Sequence, residues 1–164
     1  MQLRDIFDYK NQLMQDLLTN EKIVKLIDKD CSLADAKKLA YRHVFPYEYV
    51  PETANNGDTY VCFDVDIMEV TSKTFLAPTL YVWIFTHRSN MRLPQGGLLV
   101  DEFCAELCEA INGSRVYGMG ELNFTSMRRF APMTDFQGKC LTFRAVEVNR
   151  YHLPLKPVPE NRKG

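Results

Sequence analysis

Apolar residues recur at helical spacing near the start of the chain and at every second position from Thr59 onward. Leu3, Ile6, Leu13 and Leu17 share one stripe, with Phe7, Met14 and Leu18 beside it, which predicts an amphipathic helix. Thr19-Asn20 interrupts that helix and offers a cap for a short second one carrying Ile23, Leu26 and Ile27. Ser32-x-x-Asp35 has the form of a capping box, in which a hydroxyl and a carboxylate satisfy free backbone N–H groups. It predicts a third helix over about 33–43, rich in alanine and lysine and stopped ahead of Phe45-Pro46. Residues 45–51 are aromatic and extended, and 52–58 form a polar loop with an Asn56-Gly57 turn.

The spacing then predicts strand, strand, helix, strand, strand. In the first strand, 59–70, Val61, Phe63, Val65 and Ile67 point to the core, while Tyr60, Asp64 and Asp66 point to solvent. The second, 79–87, is apolar on both faces from Leu80 to Phe85, as expected of a central strand. Residues 71–74 make the hairpin tip, and Pro78 stands at or before the second strand's start, where a missing N–H is tolerated. A polar loop over 88–97 leads to a helix at about 98–111, with Leu99, Phe103, Leu107, Ala110 and Ile111 on one stripe. Asp101, Glu102, Glu106 and Glu109 make its other side acidic, and Asn112-Gly113 ends it. Strands at 121–130 and 140–148 close the pattern. The last carries Leu141, Phe143, Ala145 and either Val146 or Val148, according to register or a bulge. The expected fold class is α+β: N-terminal helices over 1–45, then a β-β-α-β-β unit with a mainly antiparallel sheet and one helix packed on it. One domain is expected over 1–150. The proline-rich stretch 151–164 reads as an extended C-terminal arm.

A length of 164 residues suits one domain with a working core. A net charge of −1 gives no overall field to draw the chain to nucleic acid or acidic lipid. The N-terminus lacks the apolar run of a signal peptide, and no stretch approaches the roughly 18 apolar residues of a membrane span. Synthesis and folding in a cytoplasm, without a membrane partner, are therefore expected.

Candidate chemistry is thin. Cys31, Cys62, Cys104, Cys108 and Cys140 include no CxxC pair, and Cys62 and Cys140 sit inside apolar strands. Cys104 and Cys108 share a helix face, but no further ligand nearby completes four, so reduced structural thiols are expected rather than a metal site. Asp64 and Asp66 have the spacing to share a divalent cation, yet no third carboxylate or lysine accompanies them, and solvated acids are the plainer reading. His87, near Arg88, lacks a nucleophile at recognisable spacing, and no Gly-x-Ser-x-Gly is present. His43 and His152 resemble ordinary boundary residues. Gly96-Gly97 precedes a helix without the Gly-Lys-Ser/Thr of a phosphate loop. Met127-Arg128-Arg129, between Phe124 and Phe130, is the best basic patch, and it suits ion pairs or a passive nucleic-acid contact. No catalytic residue, cofactor or metal ligand is assigned. A strand edge, an aromatic segment and a proline arm suit a protein that works through its surfaces.

Leu3-Arg-Asp-Ile-Phe-Asp-Tyr-Lys10, Phe45-Pro-Tyr-Glu-Tyr-Val-Pro-Glu52, Tyr60-Val-Cys-Phe-Asp-Val65 and Tyr81-Val-Trp-Ile-Phe-Thr-His87 resemble small virion proteins of tailed bacteriophages. The closest resemblance is to the tail terminator, or tail-completion, family of head-to-tail joining proteins, loosely over 1–150. It implies an α+β subunit that assembles with itself into a sixfold ring. Such a ring caps the finished tail tube and offers a docking face to the head connector. The implied partners are further copies of the chain, the tail tube protein and a head-completion protein, in the neck of a virion made in a bacterial cytoplasm. Thr71, Ser72, Lys73, Thr74 and Phe75 at the hairpin tip are candidate interface residues, as are Arg88, Asn90 and Arg92 in the following loop. Asp64 and Asp66, or the acidic helix face, are candidates for the lumen, where negative charge lets DNA slide without sticking. The rival readings are a head-side connector or stopper of the same neck and, from another class, a small metal-dependent nuclease using Asp64 and Asp66.

Overall fold

The structure is a computed structural model that describes residues 4–51, 57–69, 75–145 and 147–148. Helix α1 spans Asp5–Thr19 and buries Tyr9, Leu13, Leu17 and Leu18. Phe7, expected near the apolar stripe, instead faces solvent. Asn20 ends α1 and starts α2 (Glu21–Ile27), its side chain accepting hydrogen bonds from the N–H groups of Lys22 and Ile23. Ile23, Val24 and Ile27 are the buried residues of α2, with Leu26 only partly covered.

The expected third helix over 33–43 is absent. In its place stands a single 3-10 turn, Ala36–Leu39. The Ser32 hydroxyl accepts the Asp35 N–H and donates to the Asp35 carboxylate at 2.9 Å, while Lys38 holds the other carboxylate oxygen. Asp35 is thereby kept from the Ser32 N–H that a capping box must satisfy. Only Ala36 and Leu39 are buried here, a three-residue spacing that suits one tight turn better than an α-helix. Tyr41 then adopts φ 58, and its N–H bonds to the Val44 carbonyl, turning the chain into β1 (Val44–Phe45).

The remaining strands are β2 (Thr59–Glu69), β3 (Phe75–His87), β4 (Asn123–Phe130), β5 (Phe136–Arg144) and β6 (Glu147–Val148). Helix α3 (Leu99–Ile111) lies between β3 and β4. The sheet order is β1-β2-β3-β5-β4, with β6 also on β3, and every pair is antiparallel except the parallel β1–β2. The fold class is α+β, with N-terminal helices and a mainly antiparallel mixed sheet. As its two apolar faces predicted, β3 is central. It is also longer than expected, and Pro78 sits inside it, opposite Ile67 next to a bulge in β2. The last strand is split. Here β5 starts at Phe136, four residues earlier than expected, and stops at Arg144; the Ala145 N–H then bonds to the Pro78 carbonyl, and β6 pairs with Phe75 and Leu76.

All three helices pack on one face of the sheet. Phe103, Leu107 and Ile111 of α3 join Leu13, Leu17, Ile23 and Val24 over Val61, Phe63, Leu80, Val82, Ile84, Leu141 and Phe143. Ala110 lies outside this contact and is exposed. Gly113, at φ 76, lets the chain leave α3 by the left-handed turn that its sequence suggested. The opposite sheet face carries a second apolar cluster, which corrects the expectation of a wholly wet face. Phe45 stacks on Tyr49 at 4.0 Å, and the pair covers Tyr60 and Cys62 beside Phe85 and Phe136. Only further along β2 does that face open, at half-buried Asp64 and exposed Asp66. The predicted tip residues Thr71, Ser72, Lys73 and Thr74 lie outside the described residues, as do the side chain of Phe75, Leu3, Val146, His152 and the arm 151–164.

Candidate interaction surfaces

The three candidate residues that follow β3 differ in environment. Arg88 is exposed and pairs with Asp135, Nε to Oδ1, at 3.1 Å. Asn90 Nδ2 donates to the Gly57 carbonyl and to Thr59 Oγ1, each at 3.2 Å, and so ties the loop to the start of β2. Thr59 in turn shares a buried 2.8 Å hydroxyl contact with Thr86. Arg92 bridges to Leu98, and the Leu99 N–H bonds to the Met91 carbonyl, so hydrogen bonds close the loop at its base. Asn90 and Arg92 together line a cleft of about 620 Å³ against Leu26, Asp28, Lys29 and His43. Residues more than 60 positions apart in the chain, such as Asp28 and Arg92, meet there, which spacing alone does not reveal. The cleft holds carboxylates and cations in mixture, a surface for polar docking more than for one charged ligand.

Asp64 and Asp66 share a strand face but not an environment. Among the described residues β1 pairs only with Val61 and Cys62, which leaves that edge of β2 without a strand at Asp64, where Lys10 of α1 meets it. Its ammonium lies 2.5 Å from Asp64 Oδ1 and donates to the Pro46 carbonyl at 3.0 Å. The same carboxylate oxygen accepts the Val65 N–H at 2.7 Å. Asp66 is exposed, and among the described residues it has no ion-pair partner. The pair is therefore one lysine-bound acid and one exposed acid, poor ligands for a shared cation. Among the described residues no three His, Cys, Asp or Glu side chains converge as a metal site.

His87 is buried against Phe136, ring centroids 5.5 Å apart. Its Nδ1 lies 2.7 Å from the Ser89 hydroxyl, a neighbour that the sequence reading did not recognise. The same Nδ1 accepts the Ser89 N–H at 3.2 Å, capping the turn Arg88–Asn90. With the Ser89 N–H donating to Nδ1, the Ser89 hydroxyl 2.7 Å away donates to the same nitrogen, and the imidazole ties the turn to the end of β3. The cysteines are free thiols. Burial pushes the Cys62 and Cys104 thiols up to about 12 and that of Cys140 to about 11, so they stay protonated and unreactive near neutrality.

On α3, Asp101, Glu102 and Glu109 are exposed, while Glu106 is held by Lys22 at 2.9 Å. Hydrogen bonding and charge attraction from Glu106 make that ammonium hold its proton more tightly. On β4, Arg128 and Arg129 are exposed, and Arg129 donates to Gln137. The sequence reading missed what lies between these elements. Strand β4 extends past the helix layer, so Phe124 and Met127 on its helix side remain 41% and 48% exposed. With Ala105 and Cys108 of α3 they line an apolar groove of about 310 Å³ with Asp101 at its rim.

A family model described as YomW matches residues 11–145. That span runs from within α1 past the end of β5 and includes every surface described above except Lys10. The chain belongs to the YomW family. YomW is the name of a phage-derived gene, and the chain is accordingly phage-associated. No curated protein matches it. The YomW match takes in Lys10's neighbours on α1, the Asn90–Arg92 cleft and the β4 groove, and it leaves out the proline-rich stretch 151–164.

Proposed function

We propose that this YomW-family chain is a structural virion protein of the phage neck, a tail terminator that forms a ring, caps the tail tube and joins it to the head connector. The observation that carries this reading is the phage family match across most of the packed domain, on a chain whose segments resemble tail-completion proteins. The pairing of Asp64 with Lys10 also fits a structural role for that carboxylate. The ring is a hexamer of this chain. Its tube or neighbour contacts use the tip at Thr71–Phe75 and the Arg88, Asn90 and Arg92 loop. Asp66 and the exposed acids of α3 are the charges left to face DNA in a lumen, since Lys10 neutralises Asp64. The ring needs no cofactor, and it resides at the tail end of the virion.

Electron microscopy of the protein mixed with polymerising tail tubes and with DNA-filled heads tests this. Rings seated on tube ends, with tube length fixed, are the expected result. Binding to heads alone would move the protein to the connector side of the neck. Binding to neither would overturn the assignment.

A further inference from the structure

Two apolar surfaces of the monomer lie at opposite edges of the sheet. One is the groove between α3 and β4, where Phe124 and Met127 are exposed beside Cys108 and Asp101. The other is the corner before β1, where Leu33 is 46% and Tyr41 is 62% exposed, flanked by exposed Lys37 and Arg42. Strand order puts β1 at one border and β4 at the other. Among the described residues neither Lys37 nor Arg42 has a carboxylate partner, and neither does Asp101 at the groove rim. Tyr41 holds φ 58, a backbone region that glycine enters freely and a bulky residue occupies only under strain. Tyr41 presents an exposed ring beside Lys37 and beside Arg42, which itself lines a cleft with Asp28, Asp30 and Asp35, and this apolar and cationic corner complements an apolar groove lined by Asp101.

We infer that copies of this chain join head to tail, the Tyr41 corner of one entering the α3–β4 groove of the next. This deepens the ring reading and rests on it. Tyr41 supplies the buried ring, Met127 and Phe124 receive it, and Lys37 and Arg42 meet Asp101. Such a contact is heterologous: each copy offers two different faces, so repetition closes a ring or extends a filament.

Sedimentation velocity of the full chain at sub-millimolar concentration tests the inference with Tyr41→Gly and Met127→Asp. Tyr41→Gly relieves the backbone while removing the ring, and Met127→Asp places a charge in the groove. Wild type should sediment as a species larger than a dimer. Each variant alone should be monomeric, its dissociation constant raised about thirtyfold or more by loss of a central aromatic anchor. An equimolar mixture should give one-to-one dimers and nothing larger, because it retains a single intact pair of faces. A charge swap provides a second route: Asp101→Arg should weaken assembly, and adding Arg42→Glu to the same chain should restore it. Variants that assemble like wild type, a mixture that stays monomeric, or a monomeric wild type would overturn the interface. Tube-end rings that survive both substitutions would overturn it while leaving the tail reading intact. Assembly through these faces without tube binding would do the reverse.

Discussion

Gly138 occupies the seam between β3 and β5, opposite Phe85, and replacing it with alanine is the sharpest test of how tightly that seam is packed. A Cβ at this position would lie 2.0 Å from the Ile84 carbonyl oxygen, 2.6 Å from Phe85 Cβ and 2.7 Å from Phe85 Cα. Carbon contacts normally rest at about 3.5–4.0 Å, so the strands must part locally by more than about 1 Å. All three atoms belong to backbone or to the root of a side chain, and no rotamer change relieves the clash. Overpacking of this kind costs about 1–3 kcal/mol. Stretching one or two ladder hydrogen bonds adds about 1 kcal/mol each. The sum, about 2–5 kcal/mol, is a large share of the roughly 5–15 kcal/mol that holds a domain folded. Trp83, the single tryptophan, sits in β3 opposite Cys140 and reports the seam directly. In guanidinium unfolding followed by its fluorescence, Gly138→Ala should lower the midpoint with an unchanged slope, and the melting temperature should fall by about 10 °C. Gly97→Ala is the control, since its Cβ meets nothing within 4 Å and only its φ of +85 opposes the change. That substitution should cost about 1–2 kcal/mol. If Gly138→Ala stays within about 1 kcal/mol of wild type, or proves milder than the control, the packing argument is wrong.

Two further expectations concern charge and protons. Removing either partner of the Lys10–Asp64 pair, whose side chains are 23% and 36% exposed, should cost about 1 kcal/mol, because solvent screens it only in part. The Lys10→Met and Asp64→Asn double variant should lose no more than either single one, and millimolar magnesium should bind neither wild type nor Asp64→Asn; magnesium binding that Asp64→Asn abolishes would contradict this. The Cys62 and Cys104 thiols sit near 12 against an ordinary 9.0. Burial raises both, so the unfolded chain releases these protons first. The stability they contribute is complete below about pH 9 and is lost as pH climbs toward 12. Denaturant midpoints should therefore fall through that window, and Cys62→Ala with Cys104→Ala should flatten the fall.

Alternation made β2 legible, a continuous apolar run made β3 legible as a central strand buried on both faces, and a 3.6-residue stripe made α3 legible. The stretch 33–43 misled through its alanines and lysines. Intrinsic propensity is a weak term, and here it yields to a Ser32–Asp35–Lys38 knot and to a buried pair only three residues apart. Tyr60 looked solvated because alternation shows that a face differs from the core, not what comes to lie over it. The cover is the segment carrying Phe45 and Tyr49, which spacing marked as aromatic and extended without giving it a place. The candidate surfaces were legible as loops and charges but not as neighbourhoods. Nothing local to Arg92 names Asp28 or His43 as its companions across the cleft, and nothing in Met127 says that the helix layer stops short of it.

The relay of pairings along β3 has a consequence for the nascent chain. Its partner β2 precedes it and zips onto it early, within microseconds once both are available. Its other flank waits for β5, whose first paired residue, Phe136, lies about fifty residues beyond His87. At translation speeds of about 5–20 residues per second, the apolar flank of β3 stays unpaired for roughly 3–10 s on the ribosome. During that interval the most hydrophobic strand of the protein is a half-finished sheet, with α3 formed beside it and no second strand to close the core. Synthesis order, as much as packing, decides when this chain stops being prone to aggregation.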